Sequence, residues 1–164
     1  MISKKMQDAI NAQINLEQYS AQLYLAMGAY CDSMSFRGFA HWLKAQAVEE
    51  TAHAMRFIDF MLENNAKLEL GAISAPPNQF CGVIQVFEKA LDHERQVTNK
   101  INALFELARA EKDYVSEIAL QWYITEQVEE EASVGQVLDH IRAVGDQGGG
   151  IWYLDSKMGK RGSN

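Results

Sequence analysis

Pro76 and Pro77 are the only prolines in the chain, and they stand side by side. Proline removes an amide donor and clashes with the preceding turn, so it is the residue least compatible with a helix interior. Both long flanks are free of it. Each flank carries apolar residues at alternating steps of three and four, the period of a helix that buries one stripe. The first helix, A, is predicted from about Lys4 to Tyr30 on Ile10, Ile14, Ala21 and Gly28. Helix B begins near Phe36, runs through Leu43, Ala47, Ala54, Phe57 and Met61, and stops at Asn64 and Asn65. Helix C covers about Gly82 to Ala110 on Val83, Phe87, Ala90, Val97, Ile101, Leu104 and Ala108. After a tight turn at Glu111, Lys112 and Asp113, helix D carries Leu120, Tyr123, Val134, Val137 and Ile141.

The one long connection, about Asn65 to Cys81, decides the topology. A helix of about 28 residues is about 42 Å long, and about 15 extended residues reach roughly 50 Å. The connection can therefore cross the whole bundle and leave B and C parallel, with short turns joining A to B and C to D. Residues 145–150, GDQGGG, are expected to break the helix. Beyond them Ile151, Leu154 and Met158 share one short face, which predicts a fifth helix docked on its own bundle. The expected division is a bundle over 1–145, then a Gly-rich hinge, short helix and tail over 146–164.

An apolar content of 48% with 23% charged residues describes a globular chain. Its net charge of -7 argues against a nucleic-acid or anionic-membrane surface and favours cations as ligands. Cys31 and Cys81 lack metal-ligand spacing and read as reduced thiols of a cytoplasmic protein. No apolar run approaches the ~18 residues that a membrane helix needs.

Each of the four stripes is interrupted near its middle by an acid. The order is Ile14, Glu17, Ala21 in A; Ala47, Glu50, Ala54 in B; Ala90, Glu94, Val97 in C; and Tyr123, Gln127, Glu130, Val134 in D. The helical steps continue on both sides of every interruption, so these carboxylates are predicted to point into the bundle. A buried unpaired carboxylate costs several kcal/mol, against a net fold stability of only about 5–15 kcal/mol. Protons, basic partners or bound cations must offset that cost. No Lys or Arg falls on the stripes beside these acids, which favours metal. His53, three residues after Glu50, shares its side of helix B, and an imidazole among carboxylates suits a transition metal. A further group, Glu49, Glu126 and Glu129, reads either as a solvated charged face or as an accessory metal site.

At these residues the chain resembles the bacterial non-haem ferritins over nearly its whole length. The resemblance implies an all-α, ferritin-like four-helix bundle with a B–C crossover and a short fifth helix. It implies a di-iron centre of Glu17, Glu50, His53, Glu94 and Glu130, with Gln127 and Tyr24 beside it. It also implies a third iron site from Glu49, Glu126, Glu129 and Glu130. Related di-iron proteins carry a second Glu-x-x-His on the last helix, where this chain has Gln127 and Glu130. Thr51 stands where bacterioferritins place a haem-ligating Met, so no haem is expected, and Met55 does not replace it.

The implied activity is oxidation of Fe(II) by O2 or H2O2 and storage of Fe(III) as a hydrated oxide. The implied assembly is a cage of twenty-four copies in which the fifth helix lines a fourfold channel. Tyr24 is either an electron relay or a hydrogen-bonded core tyrosine, and Trp122 is taken as packing. His41, His93 and His140 are assigned no metal. The rival readings are a di-iron oxygenase or peroxidase, and a metal-free interaction bundle whose acids face water.

Overall fold

The computed structural model describes residues 2–160; positions 161–164 of the expected tail lie outside the described residues. Five helices follow one another: α1 (Lys4–Ser33), α2 (Arg37–Glu63), α3 (Val83–Glu111), α4 (Tyr114–Val144) and α5 (Gly149–Met158). Local chemistry sets two of the starts. Ser3 Oγ accepts from the Met6 amide at 3.0 Å, and Asp113 Oδ1 accepts from the Ser116 amide at 3.1 Å. Each satisfies an amide that the first turn leaves without a helical partner.

The break before α5 is shorter than the six residues expected. Gly145 and Gly148 both take positive φ and turn the chain, whereas Gly149 and Gly150 already belong to α5. The first turn of a helix has no intrahelical acceptors for its amides, so glycines there are tolerated once Gly148 has redirected the backbone.

Hydrogen bonds along the crossover fix the direction of the helices. Near the start of α1, Gln7 accepts from the Lys67 amide, and Asn11 bonds both Lys67 and Glu69. Farther along, Asn15 donates to the Ala72 carbonyl, and the Tyr30 hydroxyl accepts from the Gly82 amide. The connection thus climbs α1 from end to end. Since α2 finishes beside the beginning of α1 and α3 starts beside its end, α2 and α3 run parallel.

The apolar interior is divided in two. One cluster gathers Met6, Ile10, Ile14, Phe57, Met61, Val97, Ile101 and Tyr123. The other gathers Tyr24, Met27, Phe39, Leu43, Phe87, Ala90, Val134 and Ile141. On every long helix the change from one cluster to the other falls at its interrupting acid. The bundle is therefore two greasy plugs with a polar layer between them.

α5 closes one end of the second plug. Its Ile151 is buried there, Trp152 stacks on Phe36 at 4.5 Å, and Tyr153 remains exposed. The buried Asp155 Oδ1 accepts from the Phe39 amide at 2.8 Å, capping a helix start that has no side-chain cap of its own. Gly38 makes this approach possible. A Cβ built there would lie 1.6 Å from the Asp155 carbonyl oxygen. Substituting Gly38→Ala is therefore expected to push α5 off its seat and cost about 1–3 kcal/mol, read from the urea midpoint. An unchanged midpoint would contradict the close contact.

Candidate metal centre

The polar layer is built by one residue set from each long helix. Glu17, Glu50, Glu94 and Glu130 are only 1%, 2%, 0% and 4% exposed, and His53 is 5% exposed. A metal-free bundle with acids facing water is therefore not what the chain forms. The buried ligand atoms of Glu17, Glu50 and His53 lie within 4.8 Å of one another, as do those of Glu50, Glu94 and Glu130. Glu50 belongs to both triads. A third triad, His53, Glu126 and Glu130, adjoins them. Glu126 is half-buried, with its Oε1 3.6 Å from His53 Nε2.

Three of the four carboxylates are oriented by a neighbour. Gln13 Nε2 donates to Glu17 Oε1 at 2.7 Å, the Tyr24 hydroxyl donates to Glu94 Oε1, and Gln46 Nε2 donates to Glu130 Oε2. Gln127 Nε2 lies 3.3 Å from Glu94 Oε2. Tyr24 is thus a hydrogen-bonded core tyrosine, and Gln127 stands beside the acids as expected. Gln13 and Gln46 were missed by the sequence reading. Their signal was present: each precedes an interrupting acid by four residues, one turn earlier on the same stripe.

At the His53 end the Trp122 ring packs against the imidazole at 5.5 Å, and the Arg56 guanidinium sits 4.2 Å from the Trp122 ring centroid. Tyr123 donates to the His53 carbonyl at 3.0 Å and stacks on Phe57. Glu49 and Glu129 are exposed and join none of the triads. Their charges reach Glu126, whose carboxyl is raised first by burial and then by Glu129 and Glu49. His93 is buried outside the triads, with Nε2 2.7 Å from Ser20 Oγ. His41 and His140 are exposed.

Without cations, burial favours the protonated form of these acids. Burial raises Glu17 to about 7 and Glu130 to about 8. It also raises Glu50 and Glu94, and the nearby Glu94 charge pushes Glu50 further. His53 moves the other way, to about 4, because burial and then the Arg56 charge disfavour its cation. A neutral imidazole beside acidic oxygens is a donor set ready for a transition metal. Among the described residues no Lys or Arg forms an ion pair with these four acids. The buried Glu17 Oε2 and Gln46 Oε1 have no hydrogen-bond partner. Protons or cations, not basic side chains, therefore neutralise the layer.

With this geometry in place, likeness to known proteins becomes informative. A family pattern described as a ferritin-like domain matches residues 7–144. The chain belongs to the ferritin family. A bacterial non-heme ferritin from Bacteroides fragilis is 40% identical over 98% of this chain and 100% of its own length. Another, from Staphylococcus aureus, is 35% identical over 98% and 97%. The solved structure of an open pore ferritin from the hyperthermophilic archaeon Archaeoglobus fulgidus superposes with a TM-score of 0.97. It is 41% identical over 98% of this chain and 99% of that one. The ferritin-like fold expected for this chain is thus the fold it has, including the short fifth helix.

The buried acids make a pH prediction with a definite sign. Glu17 and Glu130 titrate near 7 and 8 folded but from an ordinary value of 4.5, so over that interval the folded chain keeps protons that the unfolded chain has lost. Stability falls as pH rises there. His53 and His93, at about 4 against an ordinary 6.5, have the opposite effect, losing stability as pH drops below 6.5. Above 6.5 the histidine effect dies away while that of the acids continues. The melting temperature of the metal-free ferritin is therefore expected to decline between pH 6.5 and 8. A divalent ion should reverse the decline while releasing protons, measurable by calorimetry in buffers of different ionisation enthalpy. A melting temperature that climbs across that interval would contradict the assignment.

Proposed function

We propose that this ferritin stores iron and oxidises it, with Fe(II) as the substrate of the polar layer. The observation that carries the proposal is the pair of buried triads sharing Glu50, which no basic side chain among the described residues neutralises. One Fe(II) is held by Glu17, Glu50 and His53, and a second by Glu50, Glu94 and Glu130, with Glu50 bridging. As the ions enter, they displace the protons that burial keeps on the carboxyls. Each Fe(II) gives up one electron. O2 accepts the two electrons with two protons and leaves as H2O2, or H2O2 accepts them with two protons and leaves as two waters.

Paired ions suit this chemistry because both electrons are delivered at one place. Carboxylate oxygens stabilise Fe(III) as it forms, while Gln13, Gln46, Gln127 and Tyr24 keep the oxygens aimed inward. Tyr24, bonded to Glu94, relays one of these two electrons to the oxidant. The product passes to a third site at Glu126 and Glu130, drawn by Glu49 and Glu129 on the rim. From there it joins a hydrated oxide inside a cytoplasmic cage of twenty-four copies. In that cage α5 lines the fourfold channel with the side it leaves exposed, Trp152 and Tyr153.

Aerobic addition of Fe(II) to the metal-free protein tests the reaction. Ferric absorbance in the near ultraviolet should develop, and a Glu50→Ala, His53→Ala variant should slow it by more than the roughly 10–100-fold typical of losing an outer-shell partner of a metal site. Equal rates in the two proteins, with circular dichroism confirming that the variant folds, would end the ferroxidase reading. Elution from size exclusion as a monomer or dimer would end the cage.

A further inference from the structure

The metal centre is sealed: its five principal side chains are at most 5% exposed, so an ion in solution needs a route through the bundle. At the His53 end the Trp122 ring covers the imidazole, and Arg56 holds a positive charge over that ring. That end sets the Arg56 charge beside the Glu126 carboxylate and the exposed Glu49 and Glu129, the acids of the third triad and its rim. The opposite side is different. A cavity of about 340 Å³ opens between α3 and α4, walled by Ile101, Ile124 and Val128 and by the polar side chains of Thr98, Gln127 and Glu131.

Those three polar groups form a ladder from the surface to the centre. Glu131, one-third exposed, accepts from the Thr98 hydroxyl at 2.6 Å. Thr98 Oγ1 lies 3.3 Å from Gln127 Nε2, and the same amide nitrogen lies 3.3 Å from both Glu94 Oε2 and the Glu94 carbonyl oxygen. Gln127 is therefore the wall that the cavity and the centre share. Its nitrogen has two hydrogens for three acceptors, each at a distance beyond the usual 2.7–3.2 Å range. Gln127 is thus shared among three long contacts rather than fixed by one short one.

We infer that the α3–α4 cavity is the inlet for Fe(II), with Glu131 capturing the ion, Thr98 passing it inward, and Gln127 acting as the door to Glu94. The inference rests on the proposed function, since it takes Fe(II) as the substrate. From the Glu131 carboxylate an unbroken run of polar contacts leads through Thr98 and Gln127 to Glu94. A cation at the mouth therefore feels Glu131 and the site acids along one path. Arg95 lies 4.0 Å from the other Glu131 oxygen and is largely exposed, so water screens its competition. Glu126, on the far side of the centre, is left to receive product.

Co(II), which O2 does not readily oxidise at such sites, separates the route from the reaction. Its uptake by the assembled, metal-free protein can be followed by stopped-flow visible absorbance. Glu131→Gln removes the capturing charge without changing shape, and Val128→Trp fills the mouth from a position that is 68% exposed. Both are expected to slow loading by about tenfold, the low end of electrostatic focusing effects, and to leave the number of ions bound at equilibrium unchanged. Loading of both variants at the unaltered rate overturns the inlet while leaving the metal centre standing. Failure of the unaltered protein to bind Co(II) or oxidise Fe(II) overturns the centre itself, and the inlet with it. Slowing by Val128→Trp alone overturns the role of Glu131, because a plug without a charge effect is only a steric gate.

Discussion

Four carboxyl groups buried in one layer are the constraint on which the rest of this structure depends. Such a layer cannot be stabilised by apolar contact, and among the described residues none of its members is matched by a lysine or arginine. Its cost is offset by protons in the empty protein and by amide and hydroxyl donors to Glu17, Glu94 and Glu130. Cations that replace those protons gain the full set of oriented oxygens. The folded chain thus holds together a set of buried carboxylate and imidazole groups that could hold a metal ion.

The two apolar plugs make that arrangement tolerable. Each long helix buries its own stripe above and below the layer, so the polar residues interrupt a core that is continuous in every other respect. The crossover matters for the same reason. By returning along α1, it lets α3 begin at the end where α2 began, and so brings Glu50 and Glu94 to one level. The α5 segment then caps the end of the second plug, where Asp155 supplies the hydrogen bond that α2 lacks and Gly38 leaves room for it.

Much of the centre was legible because helical direction is a local property. Glu17, Glu50, Glu94 and Glu130 stand at stripe positions, and a stripe position points inward whatever the neighbouring helix does. The Glu50 and His53 pair follows from a spacing of three. What was less legible were contacts between helices. Gln46 lies one turn before Glu50 yet bonds Glu130, and Thr98 with Glu131 forms a ladder to the surface that no single helix displays. Glu49, Glu126 and Glu129 looked alike in sequence. The fold separates them, placing Glu126 against His53 and leaving the other two exposed on the rim.

The sequence by itself determined four long amphipathic helices, a crossover long enough to reverse the usual order, and one inward acid on each helix. Periodicity and proline placement carry that information, and both are read within a single segment. Only the tertiary structure decided which acids meet, which glutamine orients which oxygen, how Gly38 admits α5, and where the layer opens between α3 and α4. Those outcomes depend on the axial shift and rotation of one helix against another. They are set by the packing of whole apolar faces rather than by any one residue, so no local pattern encodes them.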